Sequence, residues 1–255
     1  MKAMVLAAGL GTRLRPLTDD RPKALVEVAG QTMLEITLRR LASFDIREVI
    51  VNVHHFAELV LEYLRENDNF GMQIEVSRED VLLDTGGGLK KAAWFFQTGG
   101  GSDEPFVLHN VDVLSNIDLR KMLVFHTESG ALSTLAVRER ETSRYLLFDQ
   151  ENQLCGRRAG RGQADDVVRR AEKMRGLAFS GIHVISPRLL TTMSEEGIFS
   201  IIDTYLRLAA QGESIRAFRA DEYYWRDLGK PENIAQAAVD MQSKSSLFGK
   251  TKQTS

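Results

Sequence analysis

Ala3-Met4-Val5-Leu6-Ala7-Ala8-Gly9-Leu10-Gly11-Thr12-Arg13-Leu14-Arg15-Pro16-Leu17-Thr18, with Pro22-Lys23 close behind, is the stretch on which the reading of this chain turns. The apolar run from Ala3 to Ala7 predicts a buried parallel strand. Gly9 and Gly11 then let the backbone close on a bulky guest without side chains in the way. Successive N–H groups in such a loop form a concavity suited to phosphate oxygens. Arg13 and Arg15 add forked cationic donors and Lys23 a compact ammonium. A triphosphate is the guest this combination suits.

Two familiar phosphate motifs do not fit. The dinucleotide fingerprint needs a third glycine where this chain has Leu14, and Pro16 would disturb the helix expected there. The pattern G-x-x-x-x-G-K-[ST] occurs nowhere in the chain. An ordinary turn between strand and helix would not require two glycines, two arginines and a Pro-Lys pair between Gly9 and Lys23.

Working outward, Ala24–Val28 reads as a short strand ending at Gly30, and Leu34, Leu38 and Leu41 mark a helix face. Glu48–Val53 reads as a strand, Phe56, Leu59, Val60, Tyr63 and Leu64 as an amphipathic helix, and Met72–Val76 as another strand. This order, β-α-β-α-β, implies a parallel sheet covered on both faces. Thr85-Gly86-Gly87-Gly88 then precedes a helix with Leu89, Ala92, Ala93 and Phe96 on its apolar face. Triple glycine costs backbone entropy, so either a flat base or ribose approaches bare backbone, or the loop needs positive φ.

Phe106–Val113 reads as a buried strand ending in polar residues, which places Asp112 beyond a carboxyl end, where ligands of open α/β sheets collect. A carboxylate beside a triphosphate calls for a cation between them, and Mg²⁺ is the natural one. His109 lies within that strand, and His126 on a helical face reads as a boundary histidine. Ala131–Val137, Arg144–Asp149 and Gln153–Gly156 continue as strands, with a turn at 149–152. The segment 157–175 is densely charged and reads as a solvated loop or, alternatively, a lid or wall over substrate. Leu177–Ile185 is a strand with Gly181 inside it, Ile201–Ala209 a helix face, Ile215–Phe218 a strand, and Pro231 opens the last helix.

Composition sets bounds. The chain has 255 residues, 43% hydrophobic and 27% charged, enough for a sizeable α/β core. A formal charge of −2 gives no reason to expect nucleic acid or an anionic membrane as partner. Cys155 stands alone, so no internal disulfide forms and a cytoplasmic location is expected. No targeting core or membrane span is apparent, and residues 244–255 read as a flexible tail.

The opening stretch, with Pro22-Lys23 and Val28-Ala29-Gly30, resembles the signature of the sugar-1-phosphate nucleotidylyltransferases. Trp225-Arg226-Asp227-Leu228-Gly229 resembles the same family's Trp-x-Asp-x-Gly element, and the likeness extends from residue 2 to about 240. The resemblance implies a three-layer, Rossmann-like (GT-A-like), mostly parallel sheet with a strand-rich sugar-binding part. It implies one domain over residues 1–243, the nucleotide half at about 1–130 and the sugar-phosphate part at about 131–230. It further implies transfer of a nucleotidyl group from an NTP to a sugar 1-phosphate with Mg²⁺, releasing pyrophosphate.

Carried onto this chain, Arg13 and Lys23 become the catalytic cations. Leu6, Ala8, Gly9, Gly11, Thr12, Arg13, Thr85, Gly86 and Gly87 bind nucleotide, and Asp112 and Asp227 hold the metal. Asn110, Arg144, Glu172, Lys173, Ser180 and Gly181 meet the sugar phosphate. Three positions depart from the family pattern: Val111 replaces its glycine, Leu146 another glycine, and Met174 a proline. The Thr-Gly-Gly-Gly form and short length resemble enzymes that join UTP to N-acetylmuramate 1-phosphate. Alternatives are enzymes using GTP with heptose or mannose 1-phosphate, or a non-catalytic NTP-sensing relative. A monomer or small homo-oligomer is expected.

Overall fold

The computed structural model describes residues 1–97, 103–158 and 164–243. In the first half, β1 (Lys2–Leu6) is followed by a hairpin of β2 (Glu27–Val28) and β3 (Gln31–Thr32), then α1 (Met33–Ser43), β4 (Glu48–Val53), α2 (Ala57–Glu66) and β5 (Gln73–Arg78). Next come α3 (Asp84–Lys91), α4 (Ala93–Gln97), β6 (Phe106–Asn110), β7 (Val113–Ser115) and α5 (Leu119–Ser129). The second half contributes β8 (Ser133–Arg138), β9 (Tyr145–Phe148), β10 (Leu154–Arg157), β11 (Asp166–Val167) and the long β12 (Arg175–Ile185). It closes with α6 (Arg188–Thr192), α7 (Ile201–Ala210), β13 (Ile215–Arg219), β14 (Trp225–Asp227) and α8 (Pro231–Ser243).

The expected α/β, Rossmann-like sheet is present, and it is mixed. β5, β4, β1 and β6 run parallel side by side, while β12 pairs antiparallel with β6 and carries the strand-rich half. One half of β12 pairs β9 and the other half pairs β6. Its register with β8 shifts between Phe179 and His183, the stretch that contains Gly181 at φ 77°. A positive φ within a strand is cheap only for glycine, so Gly181 lets one strand serve both halves.

Alternation along the buried strands assigns residues to two core layers. Ala3, Val5, Val49, Val51 and Val107 face one layer with Leu34, Leu38 and Leu41 of α1 and Val60 and Leu64 of α2. Met4, Leu6, Ile50 and Leu108 face the other with Leu89 of α3 and Tyr205 and Leu206 of α7. Strands buried on both faces lose the polar alternation of a surface strand, which is why their sequences read as continuous apolar runs. α1 begins on Thr32, whose hydroxyl accepts from Glu35 N at 3.0 Å, a cap satisfying one of the helix's orphan donors.

Three local expectations are corrected. Ala24–Val28 is not one strand: a 3₁₀ turn over Lys23–Leu25 precedes β2, and the bend at Ala29 and Gly30, both at positive φ, turns the chain into β3. The strand expected to reach Val113 stops at Asn110, and Val113 opens β7, which pairs with β14 instead. The three glycines do not precede α3 but lie inside it, and none of them needs positive φ. Asp84, one position before Thr85, carries the left-handed conformation (φ 60°).

Close approach is nevertheless what α3 requires of its glycines, and the neighbour is protein. A Cβ on Gly86 would lie 2.4 Å from the Phe199 ring, and one on Gly87 2.5 Å from Gly197 O. On Gly88 it would sit 2.7 Å from Glu79 Oε1 and 2.8 Å from Asn52 Nδ2. The expected tail at 244–255, and part of the 157–175 segment, fall outside the described residues.

Candidate active site

Two turns far apart in sequence meet at the carboxyl ends of the strands. β7 pairs antiparallel with β14, which sets Asp227 directly opposite Val113, one residue after Asp112. Leu228 N donates to Asp112 O at 2.8 Å and fastens the two acidic positions to each other. Lys23 Nζ donates to Asp112 Oδ2 at 2.9 Å, and both side chains are at most 15% exposed. Screening is weak for such a pair, so removing either member would leave a poorly solvated charge.

The glycine loop wraps the same spot. A Cβ on Gly9 would stand 3.3 Å from Lys23 Nζ, and one on Gly11 2.9 Å from Thr18 Cγ2 and 3.1 Å from Lys23 Cβ. Gly11 also sits at φ 66°, so this position excludes other residues twice over. The Arg13 guanidinium lies against Gly229, where a Cβ would be 2.5 Å from Arg13 Nη2 and 2.8 Å from Asp227 Oδ1. Gly229 N donates to Asp227 Oδ1 at 2.7 Å, holding that carboxylate in place.

A cleft of about 730 Å³ opens beside this cluster. Among the predicted site residues, its lining takes in Arg13, Thr85, Asn110, Asp112, Arg144, Ser180, Gly181 and Asp227. Lys23 reaches it through Asp112; Leu6 ends β1, and the buried Ala8 follows just before Gly9. Three buried polar atoms on lining residues, Asn110 Oδ1, Arg140 Nε and Ser180 Oγ, have no hydrogen-bond partner among the described residues. An unsatisfied buried acceptor or hydroxyl costs about 1–3 kcal/mol, so a polar ligand gains by supplying the missing bonds. The Ser180 carbonyl is already engaged by Trp225 Nε1 at 2.8 Å.

Other predicted positions lie differently. Glu172 and Lys173 occupy an exposed bend before β12 and are not among the residues lining the cleft. Met174, where the family pattern has a proline, is 39% exposed. Gly86 and Gly87 also stand outside the lining: both amides donate to Phe199 O, at 3.0 and 3.3 Å, and their Cβ sides are filled. Thr85 remains at the cleft, where its hydroxyl accepts from Ile201 N at the start of α7. Of the other departures, Val111 is fully buried and its amide donates to Leu6 O, while Leu146 lines the cleft.

The sequence reading missed several residues here. Asn52 Oδ1 accepts from Ala7 N at 2.7 Å, Asn52 Nδ2 donates to Glu79 Oε1 at 2.7 Å, and Glu79 Oε2 accepts from Leu83 N at 2.9 Å. This buried chain of bonds ties the glycine loop to the start of α3, and Gly88 leaves the room for it. The signal was a polar residue inside an apolar strand run, Val51-Asn52-Val53. Arg140, Tyr145, Arg157, Arg158 and Phe179 also line the cleft. Arg140 stacks over Trp225 at 4.5 Å, and burial lowers its pKa while the charge of Asp227 opposes the shift.

The histidines are structural in a specific sense. His126, expected at a boundary, is buried and bridges Thr134 and Ser186. Burial holds the pKa of His109 down at about 4 and that of His183 at about 3. His183 Nδ1 is 2.8 Å from Tyr205 Oη, so the ring is a fixed neutral wall of the cleft. Between pH 6.5 and about 4 the unfolded chain binds protons at these histidines that the folded chain refuses. Folding stability therefore falls as pH falls through that window, by about 2 kcal/mol per histidine from pH 6.5 to 5. Urea unfolding at the two pH values checks this, and His109→Gln should make the decline shallower.

Bare glycine amides, two cations and two aspartates thus gather at the strand ends of a Rossmann-like α/β sheet. The chain belongs to the nucleotidyl transferase family, which matches residues 2–244. It is 36% identical over 239 residues to an N-acetylmuramate alpha-1-phosphate uridylyltransferase of Caulobacter vibrioides, spanning 90% of this chain and 92% of that protein. It is 29% identical to a mannose-1-phosphate guanylyltransferase catalytic subunit beta of Dictyostelium discoideum, over 92% of this chain and 62% of the longer protein. Its fold matches a crystal structure of HddC from Yersinia pseudotuberculosis complexed with GMP-PN, at a TM-score of 0.73 and 20% identity, covering 94% and 99% of the two chains. The chain is thus an enzyme of the sugar-1-phosphate nucleotidylyltransferase kind. Among the described residues, no helix is long and apolar enough to cross a membrane.

Proposed function

We propose that this enzyme transfers a uridylyl group from UTP to N-acetylmuramate 1-phosphate. The reading is supported by the β7–β14 pairing, which joins the turns of Asp112 and Asp227, the first bonded to Lys23 and the second close to Arg13. The choice of substrates is supported by the Caulobacter relative, which this chain matches along nearly its full length.

In the reaction an oxygen of the sugar phosphate forms a new bond to the α-phosphorus of the NTP. The bond from that phosphorus to the bridging oxygen breaks, and pyrophosphate leaves with the electron pair. The attacking phosphate is already anionic at neutral pH, so no general base is required. The protein's work is positioning and charge stabilisation. The amides of Gly9 to Thr12 and the Arg13 fork hold the β- and γ-phosphates and take up charge as pyrophosphate departs. Lys23 holds the α-phosphate, and Thr85 stands on the nucleoside side. Asn110 and Ser180 offer the incoming sugar their unmatched polar atoms.

The donor set fits a divalent cation: two fixed carboxylates, with phosphate oxygens and water completing the shell, is the usual way Mg²⁺ is held. Mg²⁺ bound by Asp112 and Asp227 would supply Lewis-acid polarisation and neutralise phosphate charge.

A panel of UTP, GTP, CTP and dTTP against N-acetylmuramate, mannose and heptose 1-phosphates, read by pyrophosphate release, tests the reading. UTP with N-acetylmuramate 1-phosphate should give the highest kcat/KM. A clear preference for GTP with mannose or heptose 1-phosphate would replace it. Tight NTP binding without turnover of any sugar phosphate would refute transfer.

A further inference from the structure

The cleft carries positive charge that the phosphate chemistry leaves unused. Among the described lining residues the acids are Asp84, Asp112 and Asp227, against arginines 13, 140, 144, 157 and 158. Arg13 and Arg140 stand on the Asp227 side: the first lies against Gly229 and Asp227, and the second feels the charge of Asp227 and donates to Phe179 O at 3.0 Å. Arg157 is neutralised, with Nε 3.1 Å from Asp166 Oδ2 and Nη1 2.8 Å from Asp203 Oδ1.

Arg144 and Arg158 are left. Arg144 is exposed and has no ion pair among the described residues. Arg158 makes one long ion pair, with Nε 4.0 Å from Asp165 Oδ2, beyond hydrogen-bonding reach, so its fork is not held by that carboxylate. The Arg158 guanidinium carbon lies over the Tyr145 ring, 5.1 Å from its centroid, a cation–π contact that restrains the side chain. The β9–β10 register brings the two together: Arg157 stands opposite Leu146, and Arg158 N donates to Tyr145 O at 2.9 Å, next to Arg144. The acid–base pair Glu172–Lys173, suited to hydroxyls, is absent from this wall. A sugar ring placed here meets forked cations.

We propose that Arg144 and Arg158 bind a carboxylate on the sugar and thereby select an acid sugar 1-phosphate over its neutral counterpart. This rests on the nucleotidyl-transfer reading and deepens it. Two guanidinium forks, one of them over an aromatic ring, match the planar geometry of a carboxylate. A site built for charge also rejects an uncharged analogue, because binding it would strip water from the arginines without replacing it.

The test uses UTP with three acceptors: N-acetylmuramate 1-phosphate, its lactyl methyl ester, and N-acetylglucosamine 1-phosphate, which lacks the lactyl group. The wild-type enzyme should favour the free acid over the ester by about 10- to 100-fold in kcat/KM, the range of a charge-assisted hydrogen bond. The size of the ester is nearly that of the acid, so this ratio isolates charge. In Arg144→Gln/Arg158→Gln the ratio should fall to within about threefold of one, and Arg158→Lys should retain an intermediate value. A wild-type enzyme that uses the ester as well as the acid overturns the proposal, whether or not the variants fold. So does a double variant whose ratio is unchanged. Turnover of the acceptors without discrimination would remove the carboxylate site and leave nucleotidyl transfer standing. Inactivity toward all three and toward other sugar phosphates would remove both.

Discussion

Asp227→Asn should lower kcat by about 10²–10³-fold, the loss typical of removing one group that stabilises transition-state charge. Asparagine keeps an oxygen at the position that accepts from Gly229 N at 2.7 Å, so the turn after β14 is preserved and the loss reports charge. Asp112→Asn should lose as much, and the double variant should lose much less than the product of the two. Residues that act on one bound ion are a unit, and their effects do not multiply. Steady-state turnover across a Mg²⁺ titration checks the rate. Water-proton relaxation with Mn²⁺ and UTP checks the metal separately, and both single variants should weaken binding of the ion. Either variant turning over within threefold of wild type would refute the assignment of the pair.

Lys23→Met should cost about 10²–10³-fold in kcat as well, for a related electrostatic reason. Lys23 is held 2.9 Å from Asp112 and lies 3.3 Å from where a Gly9 Cβ would be, so its ammonium fills a space built for one compact charge. Methionine keeps an unbranched apolar stem as far as the Cε position but leaves Asp112 without its partner. The variant should therefore also melt at a lower temperature, since an unpaired, mostly withdrawn carboxylate is costly. Lys23→Arg should recover the melting temperature in part and the rate hardly at all, because a planar fork cannot take the place of a point charge under Gly9. Thermal unfolding together with kcat separates the two effects. A Lys23→Met enzyme with near-normal kcat would show that the ammonium only props up Asp112.

The three-layer plan could be read along the chain because its signal is periodic and local. Glu48–Val53 and the helix faces at Leu34, Leu38 and Leu41 carry their burial in the order of residue types, and the structure places them as read. Errors arose where a segment's partner is distant. Val113 continues an apolar run, yet it belongs to β7 because Trp225–Asp227 pairs with it. Three glycines in a row read as a loop, yet they are helical because Phe199, Gly197 and the Glu79–Asn52 pair press against them. Glu172–Lys173 has the right composition for a sugar contact, but an exposed bend keeps it from the cleft.

Residue types at fixed short spacings, above all the Gly9–Lys23 stretch, were enough to show the family and with it the class of reaction. Folding was needed to bring the turns that carry Asp112 and Asp227 together, and to set Arg144 and Arg158 on one wall of the cleft. Both follow from pairing between strands, β7 with β14 and β9 with β10, and the hydrogen bonds that set such a register join residues whose separation along the chain leaves no local trace.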